Sequence, residues 1–261
     1  MIYVLCTVFG RLKETAQLYA SLEESLGVGG FYFILNDNSD DNAYEEFSKK
    51  INVVYERTDD LYWAGGMSAA YRLLEENFNL MFEDIILCVN NDIILDSDWL
   101  EKVDFSAPVF VGKFNDSQGA MAYGVRRGRS NLLPLHFRPV TDSSGPLFFN
   151  MNFVALKYGV ILKYGFLDSK FTHGFADYEF SSRLDRSGVE IVFSEDQPIG
   201  VCERNDIKGT SLDKSLPRCE RIRRFHSVKE CPVLEHVYFL RRAGGPFWVF
   251  YFLYNYLKVL R

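Results

Sequence analysis

Short apolar runs alternate with amphipathic segments through the first hundred residues, and this alternation limits the possible folds more than any other feature of the chain. The runs 2–8, 31–35 and 85–89 are almost continuously apolar, as strands buried on both faces are. Between them, segments 12–26 and 64–77 repeat apolar residues with the spacing of a helix that covers a sheet. The pattern predicts an α/β fold with a mostly parallel central sheet and helices on both faces.

Composition narrows the class of protein. Of the 261 residues, 48% are hydrophobic, which excludes a disordered chain, and no apolar stretch reaches the ~20 residues that span a bilayer. The run 2–9 lacks a basic leader and a small-residue cleavage site, so we interpret it as a strand and not as a signal peptide. Five cysteines without a CxxC pair argue against disulfides or a zinc knuckle. We therefore expect a reduced, cytoplasmic protein.

The C-terminal part of the chain differs in charge from the rest. Residues 204–261 contain 12 Lys and Arg against 5 Asp and Glu, a net charge of +7, whereas residues 1–203 carry −13. Within the basic part, the aromatic segment 247–258 would form a helix of about 20 Å, shorter than the ~30 Å hydrocarbon core. Both features predict peripheral contact with an anionic membrane at the inner face of the cell membrane. The alternatives are a solvated basic helix and packing on the domain or in a homodimer; no nucleic-acid-binding module is recognisable.

Polar residues follow the buried run 85–89. Asn90, Asn91 and Asp92 come directly after it, and the carboxyl ends of parallel strands are where open α/β sheets bind ligands. Carboxylate and amide oxygens suit Mn2+ or Mg2+, which share their ligand positions with substrate phosphates. This favours a metal and diphosphate site with Asp92 as ligand; a simple Asn-rich turn is the alternative.

A second polar cluster, 36–42, follows the run 31–35. Its side chains can bind a nucleobase and ribose through oriented hydrogen bonds, and polar residues after the first strand can close the same pocket. The alternative is an Asx-rich turn. The residues assigned to this pocket are Thr7, Arg11, Asn36, Asp37 and Ser39.

Two glycines, Gly65 and Gly66, lie near the start of the second helical segment. Glycines at a helix start allow backbone N–H groups to approach an anion closely. A dinucleotide-binding Rossmann site is disfavoured, because no GxGxxG motif follows the first strand.

A third cluster runs from His173 to Glu179. Asp177 and Glu179 lie in the first turn of a predicted helix, where the helix dipole favours negative charge. An N-cap role for Asp177 and an i,i+4 ion pair of Glu179 with Arg183 are the structural interpretations. A carboxylate at a helix entrance can also accept a proton from an attacking hydroxyl. We therefore assign Asp177 and Glu179 as candidate catalytic residues, and His173 and Arg183 as candidate acceptor-binding residues.

Taken in order, these motifs resemble glycosyltransferase family two. The residues that carry the resemblance are Asn36–Asn42, Trp63–Met67, Asn90–Asp92, His173–Glu179, Arg183 and Gly188. Later motifs are similar to a bacterial branch described as rhamnosyltransferase-like. They are Cys202–Asn205, Lys208–Thr210 and Tyr238–Arg242.

The resemblance implies a GT-A fold and inverting transfer of a sugar, by direct displacement at the anomeric carbon. The donor would be a UDP- or dTDP-linked sugar, and the acceptor a hydroxyl of a lipid-linked or glycan molecule in bacterial surface polysaccharide synthesis. It divides the chain into a catalytic domain, 1–203, and a basic, aromatic and helical extension, 204–261. The nucleotide-sugar-binding half of the domain would be about 1–100 and the acceptor-binding half about 101–203.

The resemblance also implies roles for single residues. Asn90 to Asp92 match the family's DxD-like metal site, and Asp177 matches the aspartate of its Glu-Asp motif, the general base. Two departures stand out, because Asn90 replaces the first acid of DxD and Ala176 replaces the Glu before the base; Glu179 is the nearby acid that would compensate. These departures keep a second hypothesis open, a non-catalytic binding or scaffold protein in a glycan-assembly complex. A nucleotidyltransferase is disfavoured, since no Gly-rich, Lys- or Arg-bearing triphosphate loop follows the first strand.

Overall fold

The structure is a computed structural model that describes residues 1–40, 42–138, 140, 145–194, 197–204 and 207–261. Two residues of the motifs quoted above, Asp41 and Asn205, lie outside these ranges.

The strands and helices alternate through the first half of the chain, as the apolar pattern predicts, and the last quarter is helical. The strands are β1 (Ile2–Val8), β2 (Phe31–Asp37), β3 (Val53–Arg57), β4 (Ile85–Val89), β5 (Ile94–Leu95), β6 (Val109–Val111), β7 (Phe114–Asn115), β8 (Met121–Tyr123), β9 (Val125–Gly128), β10 (Phe137–Arg138), β11 (Leu147–Phe149), β12 (Phe153–Lys157), β13 (Ile191–Phe193) and β14 (Gly200–Val201). The α-helices are α1 (Leu12–Leu26), α2 (Tyr62–Asn77), α3 (Tyr158–Tyr164), α4 (Ala176–Arg186), α5 (Arg218–Phe225), α6 (Val233–Ala243) and α7 (Trp248–Leu260).

Among the described residues the largest sheet has seven strands, in the order β13-β6-β12-β4-β1-β2-β3. β1 pairs in parallel with β2 and β4, β2 with β3, and β6 with β13. Only β12 among these seven runs antiparallel to its neighbours, β4 and β6. Two smaller sheets, β10-β9-β11 and β5-β14-β7-β8, complete the β-structure of the described ranges. The prediction of a mostly parallel central sheet is confirmed.

The central sheet is buried on both faces, which explains its continuously apolar strands. Along β1, Val4 belongs to the core on the α1 side, where it is buried with Leu18 and Leu22. Its neighbour Leu5 belongs to the core on the other side, with Met67 of α2. Successive side chains of a strand point to opposite faces, so a strand covered twice needs apolar residues at every position.

The order of the strands includes a topological switch point at β1, the position at which open α/β sheets have their ligand crevice. The chain continues from β1 to β2 on one side, whereas β4 lies on the other side of β1. Such a topological switch point leaves an opening at the carboxyl ends of the strands, where open α/β sheets bind ligands. β12 is antiparallel and starts opposite the end of β4, with Phe153 paired to Val89. The loop 150–152 therefore also lies at this edge.

The C-terminal helices pack onto the same body. Phe239 and Leu240 of α6 are buried in one cluster with Ala176 at the start of α4, and α7 packs against α6 and α5. None of the helices in the described ranges has the length and apolar character needed to cross a bilayer. The segment 43–50, which the sequence predicts to be a helix, instead contains turns and the short 3-10 helix Phe47–Lys49.

Candidate active site

The switch point is spanned by an ion pair. Arg11 follows β1 and Asp92 follows β4, and the Arg11 Nη1 donates to Asp92 Oδ2 at 2.6 Å. Both side chains reach solvent, with 55% of the Arg11 side chain and 36% of the Asp92 side chain exposed. Arg11 has a φ of 59°, a left-handed conformation that bulky side chains adopt rarely. Arg11, predicted to bind the donor, and Asp92, predicted to bind the metal, thus lie together at the switch point.

Whether a metal ion fits beside Asp92 depends on which nearby oxygens lack a hydrogen-bond partner. Asp92 Oδ1 is buried and has no hydrogen-bond partner in the described part of the chain. The two amides before it are occupied, since Asn90 Oδ1 accepts from Trp63 Nε1 at 2.8 Å and Asn91 Nδ2 donates to Thr15 Oγ1 at 3.0 Å. Within the described ranges there is no group of three or more His, Cys, Asp or Glu side chains that could hold a metal. The unpartnered Oδ1 of Asp92 fits a hard cation, which would need its other ligands from elsewhere, such as phosphate oxygens and water.

The amide side chain predicted to bind the nucleobase is turned inward. Asn36 is completely buried, and its amide bonds to Asn38 at 2.8 Å and to Thr58 at 3.0 Å. Thr7 Oγ1 completes this amide cluster (Thr7, Asn36, Asn38, Thr58), 3.3 Å from Asn36 and 3.0 Å from Asn38. These bonds tie together β1 and β2 with the residue that follows β3. We therefore reassign Thr7 and Asn36 from ligand binding to holding the strand ends.

The side-chain oxygens of Asp37 and Ser39 also have their hydrogen-bond partners within the protein. Asp37 is fully buried; its Oδ1 accepts the Ser39 N–H at 2.9 Å and its Oδ2 accepts from Tyr55 at 3.0 Å. Burial, followed by this bond to a carboxylate, raises the pKa of Tyr55 to about 12. Ser39 Oγ accepts the N–H of Gly10 at 2.7 Å. The Asx-turn interpretation of this cluster is the one that the geometry favours, because both side chains face the protein.

The two glycines lie within α2, and one of them, Gly66, is needed for packing. α2 begins at Tyr62, so Gly65 and Gly66 are its fourth and fifth residues. The Gly65 N–H donates to the carbonyl of Thr172 at 3.3 Å. A Cβ on Gly66 would overlap the Thr7 hydroxyl and lie 2.9 Å from Asn36 Oδ1. Gly66 is therefore required for the close approach of α2 to the amide cluster.

Asp177 is the second residue of α4 and is partly exposed. Its Oδ1 accepts the backbone N–H of Tyr178 at 2.8 Å, and Asn150 Nδ2 lies 3.4 Å from its Oδ2. Burial raises the pKa of Asp177 to about 6, and hydrogen bonds from Tyr178, Asn150 and Met151 oppose that rise. The carboxyl group is therefore ionised at neutral pH and more basic than an ordinary aspartate, as a proton acceptor needs to be.

The loop 150–152 contacts both acidic segments. Its first two residues bond to Asp177, while the carbonyl of Asn152 accepts the backbone N–H of Asn90 at 3.1 Å. Since Asn90 lies two residues before Asp92, one short loop has the Asp177 carboxylate on one side and the Asp92 segment on the other.

Trp63 connects the same two regions from α2. Its indole N–H donates to Asn90 Oδ1, and its backbone N–H donates to Nδ1 of His173 at 3.3 Å. His173, predicted at the acceptor site, is half-buried, and burial followed by the nearby charge of Lys229 lowers its pKa. A neutral imidazole that accepts this bond agrees with both observations.

Glu179 and Arg183 lie in an ion-pair cluster and not in the crevice. Glu179 is completely buried, and its carboxylate contacts Arg183 at 3.2 Å and Arg242 of α6 at 2.9 Å. The remaining Arg183 donors bond to backbone carbonyls of residues 164–166. Arg183 therefore forms the i,i+4 ion pair with Glu179 that the sequence offered as its structural role. Neither side chain is free to act on a substrate, so we do not retain the catalytic role of Glu179 or the acceptor-binding role of Arg183.

Sequence reasoning did not select three residues of this site: Asn150, Trp63 and Arg242. Asn150 could have been noticed as an amide between two apolar runs, 147–149 and 153–157. Trp63 belongs to a quoted motif, but its indole bond depends on a residue 27 positions away. No local signal distinguishes Arg242 from its neighbour Arg241, because its partner is 63 residues earlier in the chain.

Comparison with known proteins relates the fold to solved structures only, since no family model and no curated protein matches the sequence. Mannosyltransferase PcManGT from Pyrobaculum calidifontis, in complex with GDP-Man and Mn2+, is similar with a TM-score of 0.53 and 12% identity, over 87% of this chain and 62% of that one. TarS 1-349 from S. aureus is similar with a TM-score of 0.51 and 14% identity, over 77% and 60% of the two chains. A 4-diphosphocytidyl-2C-methyl-D-erythritol synthase has a TM-score of 0.50 at 12% identity, over 78% and 92%.

These likenesses establish the fold as GT-A type. The chain spans only about three fifths of the length of the first two structures.

Proposed function

We propose that this chain is a glycosyltransferase that moves a sugar from a nucleoside-diphosphate sugar, UDP- or dTDP-linked, to a hydroxyl of a lipid-linked or glycan acceptor with inversion. The observation that carries the proposal is the shared loop 150–152, which has Asp177 on one side and the Asp92 segment on the other. Such a transfer requires a metal-binding carboxylate at the diphosphate end and a base at the acceptor hydroxyl, and a switch-point crevice can hold both.

Asp177 acts as the general base. The acceptor hydroxyl loses its proton to this carboxylate as its oxygen bonds to the anomeric carbon and the bond to the nucleoside diphosphate breaks. Tyr178 N–H and Asn150 orient the carboxylate through its two oxygens. A glycosidase would need a second carboxylate across the bond, and the nearest acid on this helix, Glu179, is enclosed by arginines.

The Arg11 and Asp92 pair receives the diphosphate. In the structure each group neutralises the other. The guanidinium can form paired hydrogen bonds with phosphate oxygens, which places positive charge where the departing diphosphate becomes more negative. Asp92, with its free Oδ1, would hold Mn2+ or Mg2+, and such an ion supplies further charge stabilisation of the leaving group.

The outer face of α7 supports a peripheral location at the inner face of the cell membrane. One face of the helix packs on the protein, where Val259 is buried and Phe252 contacts His236. The other face exposes large apolar side chains beside basic residues, a pattern typical of interfacial helices on anionic lipid. The exposed apolar residues of α7 are Val249, Phe250, Leu253, Tyr254, Leu257 and Leu260, and Phe247 just before the helix is also exposed.

The direct test is a binding and turnover screen. Thermal shift with uridine, thymidine and guanosine diphosphate sugars, each with Mn2+ or with a chelator, should identify one base and a dependence on metal. Release of nucleoside diphosphate from the sugar that binds should then depend on Asp177. Binding without turnover, with acceptor-containing membrane extract present, would favour the non-catalytic scaffold instead.

The location is tested separately with lipid vesicles. A variant carrying Phe250→Ser, Leu253→Ser and Leu257→Ser should lose co-sedimentation with anionic vesicles while wild type is retained. Neutral phosphatidylcholine vesicles serve as the lipid control. Equal sedimentation of variant and wild type would assign this face to another contact, and a change from dimer to monomer in light scattering would identify a homodimer.

A further inference from the structure

Helix α6 holds the segment that carries Asp177 at several points, although about 60 residues separate the two in sequence. Tyr238 donates to Asp168 at 2.6 Å, and the hydroxyl of Thr172 donates to Glu235 at 2.8 Å. The Thr172 N–H donates to the same carboxylate at 3.1 Å. Helix α6 therefore contacts the chain at two positions, Asp168 and Thr172, shortly before the start of α4.

A further contact of α6 stabilises an unusual backbone conformation at Phe175. Phe175, two residues before Asp177, has a φ of 65°, which is strained for an aromatic residue. Its ring stacks on His236 and Phe239 of α6, with centroid distances of 5.3 and 4.9 Å and ring planes within 8° and 16° of parallel. This conformation starts α4 and thereby directs its first turn toward loop 150–152.

Another contact lies two residues after Asp177. Buried Glu179 already has an ion-pair partner in its own helix, Arg183. A second guanidinium, from Arg242, also approaches Glu179 Oε1, with its Nε at 2.9 Å and its Nη2 at 2.9 Å. A single arginine would compensate the buried charge, so the second one has a different effect, which is to attach α4 to α6.

We propose that α6 is the positioning element for the general base, and that Arg242 is a positioning residue that acts on Asp177 through Glu179. Residues 204–261 are then part of the catalytic unit and not only a membrane-contacting extension. This inference rests on the proposed function for the role of Asp177. The α6 contacts themselves are independent of that role.

The physical basis is the sensitivity of proton transfer to geometry. A base acts only within hydrogen-bond reach of the hydroxyl, and a displacement of about 1 Å can lower turnover by about 100-fold. Asp177 is flanked on both sides, at positions 175 and 179, by residues that α6 holds. Release of one attachment should therefore displace the base without affecting the Arg11 and Asp92 pair at the strand ends.

Arg242→Gln tests this, with Arg241→Gln as a matched control. Both arginines are exposed residues of α6, and both changes remove one positive charge. We expect Arg242→Gln to lower kcat by about 10- to 100-fold, with nucleotide affinity in calorimetry within twofold of wild type. Arg241→Gln should change neither quantity by more than twofold. Arg242→Lys should restore part of kcat, because an ammonium keeps the ion pair but not the second hydrogen bond.

A readout that needs no activity separates this inference from the proposed function. Hydrogen exchange of peptides covering residues 172–182 should become faster in Arg242→Gln and remain as in wild type in Arg241→Gln. If Arg242→Gln does not fold, Thr172→Val releases a different attachment and should give the same local increase. Unchanged exchange in these variants, or faster exchange in an active enzyme whose kcat is unchanged, would overturn the inference. A wild-type protein without transferase activity would refute the proposed function while leaving the exchange result meaningful.

Discussion

The two acidic positions of the crevice are held in place by different means. Asp92 and its partner Arg11 follow strands that pair directly with each other, so formation of the sheet is enough to bring them together. Asp177 lies on a helix whose start is fixed by contacts with α6, about 60 residues later. The donor side of the site is therefore a property of the sheet, whereas the acceptor side also requires the docking of the C-terminal helices.

A finer comparison concerns Asp177 and Glu179, two carboxylates in one helical turn. Asp177 is partly exposed and receives hydrogen bonds from neutral groups, whereas Glu179 is completely enclosed and contacts two guanidinium groups. In the proposed function this difference in environment makes Asp177 the base and Glu179 an attachment point. Residue type and helix position would not have separated them.

Removal of the Asp177 charge is the sharpest test of the different roles of Asp177 and Glu179. Asp177→Asn keeps the shape of the side chain but cannot accept the proton, so we expect turnover to fall by about 100- to 10,000-fold with donor affinity nearly unchanged. Single-turnover kinetics and calorimetry give the two quantities. Glu190→Gln, an exposed acid after the same helix, is the control and should behave as wild type. Near-normal turnover of Asp177→Asn would exclude the base role.

On the donor side, Asp92→Ala should weaken nucleotide-sugar binding in the presence of Mn2+ by about 10- to 100-fold, because it removes the carboxylate oxygen that fits the metal. Titration calorimetry with and without Mn2+ measures the effect. Asp98→Asn removes an exposed acid six residues later and should leave affinity unchanged. Equal affinities for Asp92→Ala and wild type would show that Asp92 is not a ligand.

The dependence of the donor side on close packing is tested at the two glycines. Gly66→Ala forces a methyl group into the amide cluster and should lower the free energy of unfolding by about 1 to 3 kcal/mol. At Gly65 the nearest atom to an added methyl is Leu61 Cβ, at 3.2 Å, so Gly65→Ala should be neutral or slightly stabilising. Urea unfolding of both variants measures these changes in the free energy of unfolding. Similar effects at the two positions would contradict the packing account.

The raised pKa of Asp177 also predicts a stability effect with a definite pH dependence. Burial raises that pKa from 3.8 to about 6, so between these values the folded protein holds a proton that the unfolded chain has released. The corresponding stabilisation is complete below pH 3.8 and is lost as the pH rises through 6. Asp177→Asn should thus be more stable than wild type by about 1 to 3 kcal/mol at pH 7.5.

At pH 3.5 most of this difference should disappear, since the aspartate is then mostly neutral in both states. Thermal melts at the two pH values measure it. In the wild-type enzyme the same pKa predicts that turnover falls about tenfold per pH unit below pH 6. A constant stability difference at both pH values would show that burial does not perturb this carboxyl group.

Much of the first half of the fold is predictable because its information is local. The helix 12–26 coincides with α1, and the strand that starts at Ile2 coincides with β1. The exception is 43–50, where most of the segment forms turns instead of a helix and Tyr44 is buried with its hydroxyl bonded to Thr15. The buried contact between Tyr44 and Thr15 stabilises turns where the local pattern favours a helix.

The site was only partly predictable, and at the strand ends the reason is plain. Polar residues at strand ends can face a ligand or face each other, and sequence position does not distinguish these cases. Asn36 and Asp37 face the protein, where burial requires that their polar atoms be satisfied. Arg11 and Asp92 face the crevice and remain candidates for ligand binding.

The apolar pattern by itself determined a doubly covered parallel sheet and the polar turns at its carboxyl edge, because strand period and strand burial are local properties of the chain. Only the tertiary structure decided which of those polar groups are free. The pairing of each with its neighbours depends on strand order and on α6, and a fully buried side chain whose hydrogen bonds are satisfied inside the protein does not reach a substrate.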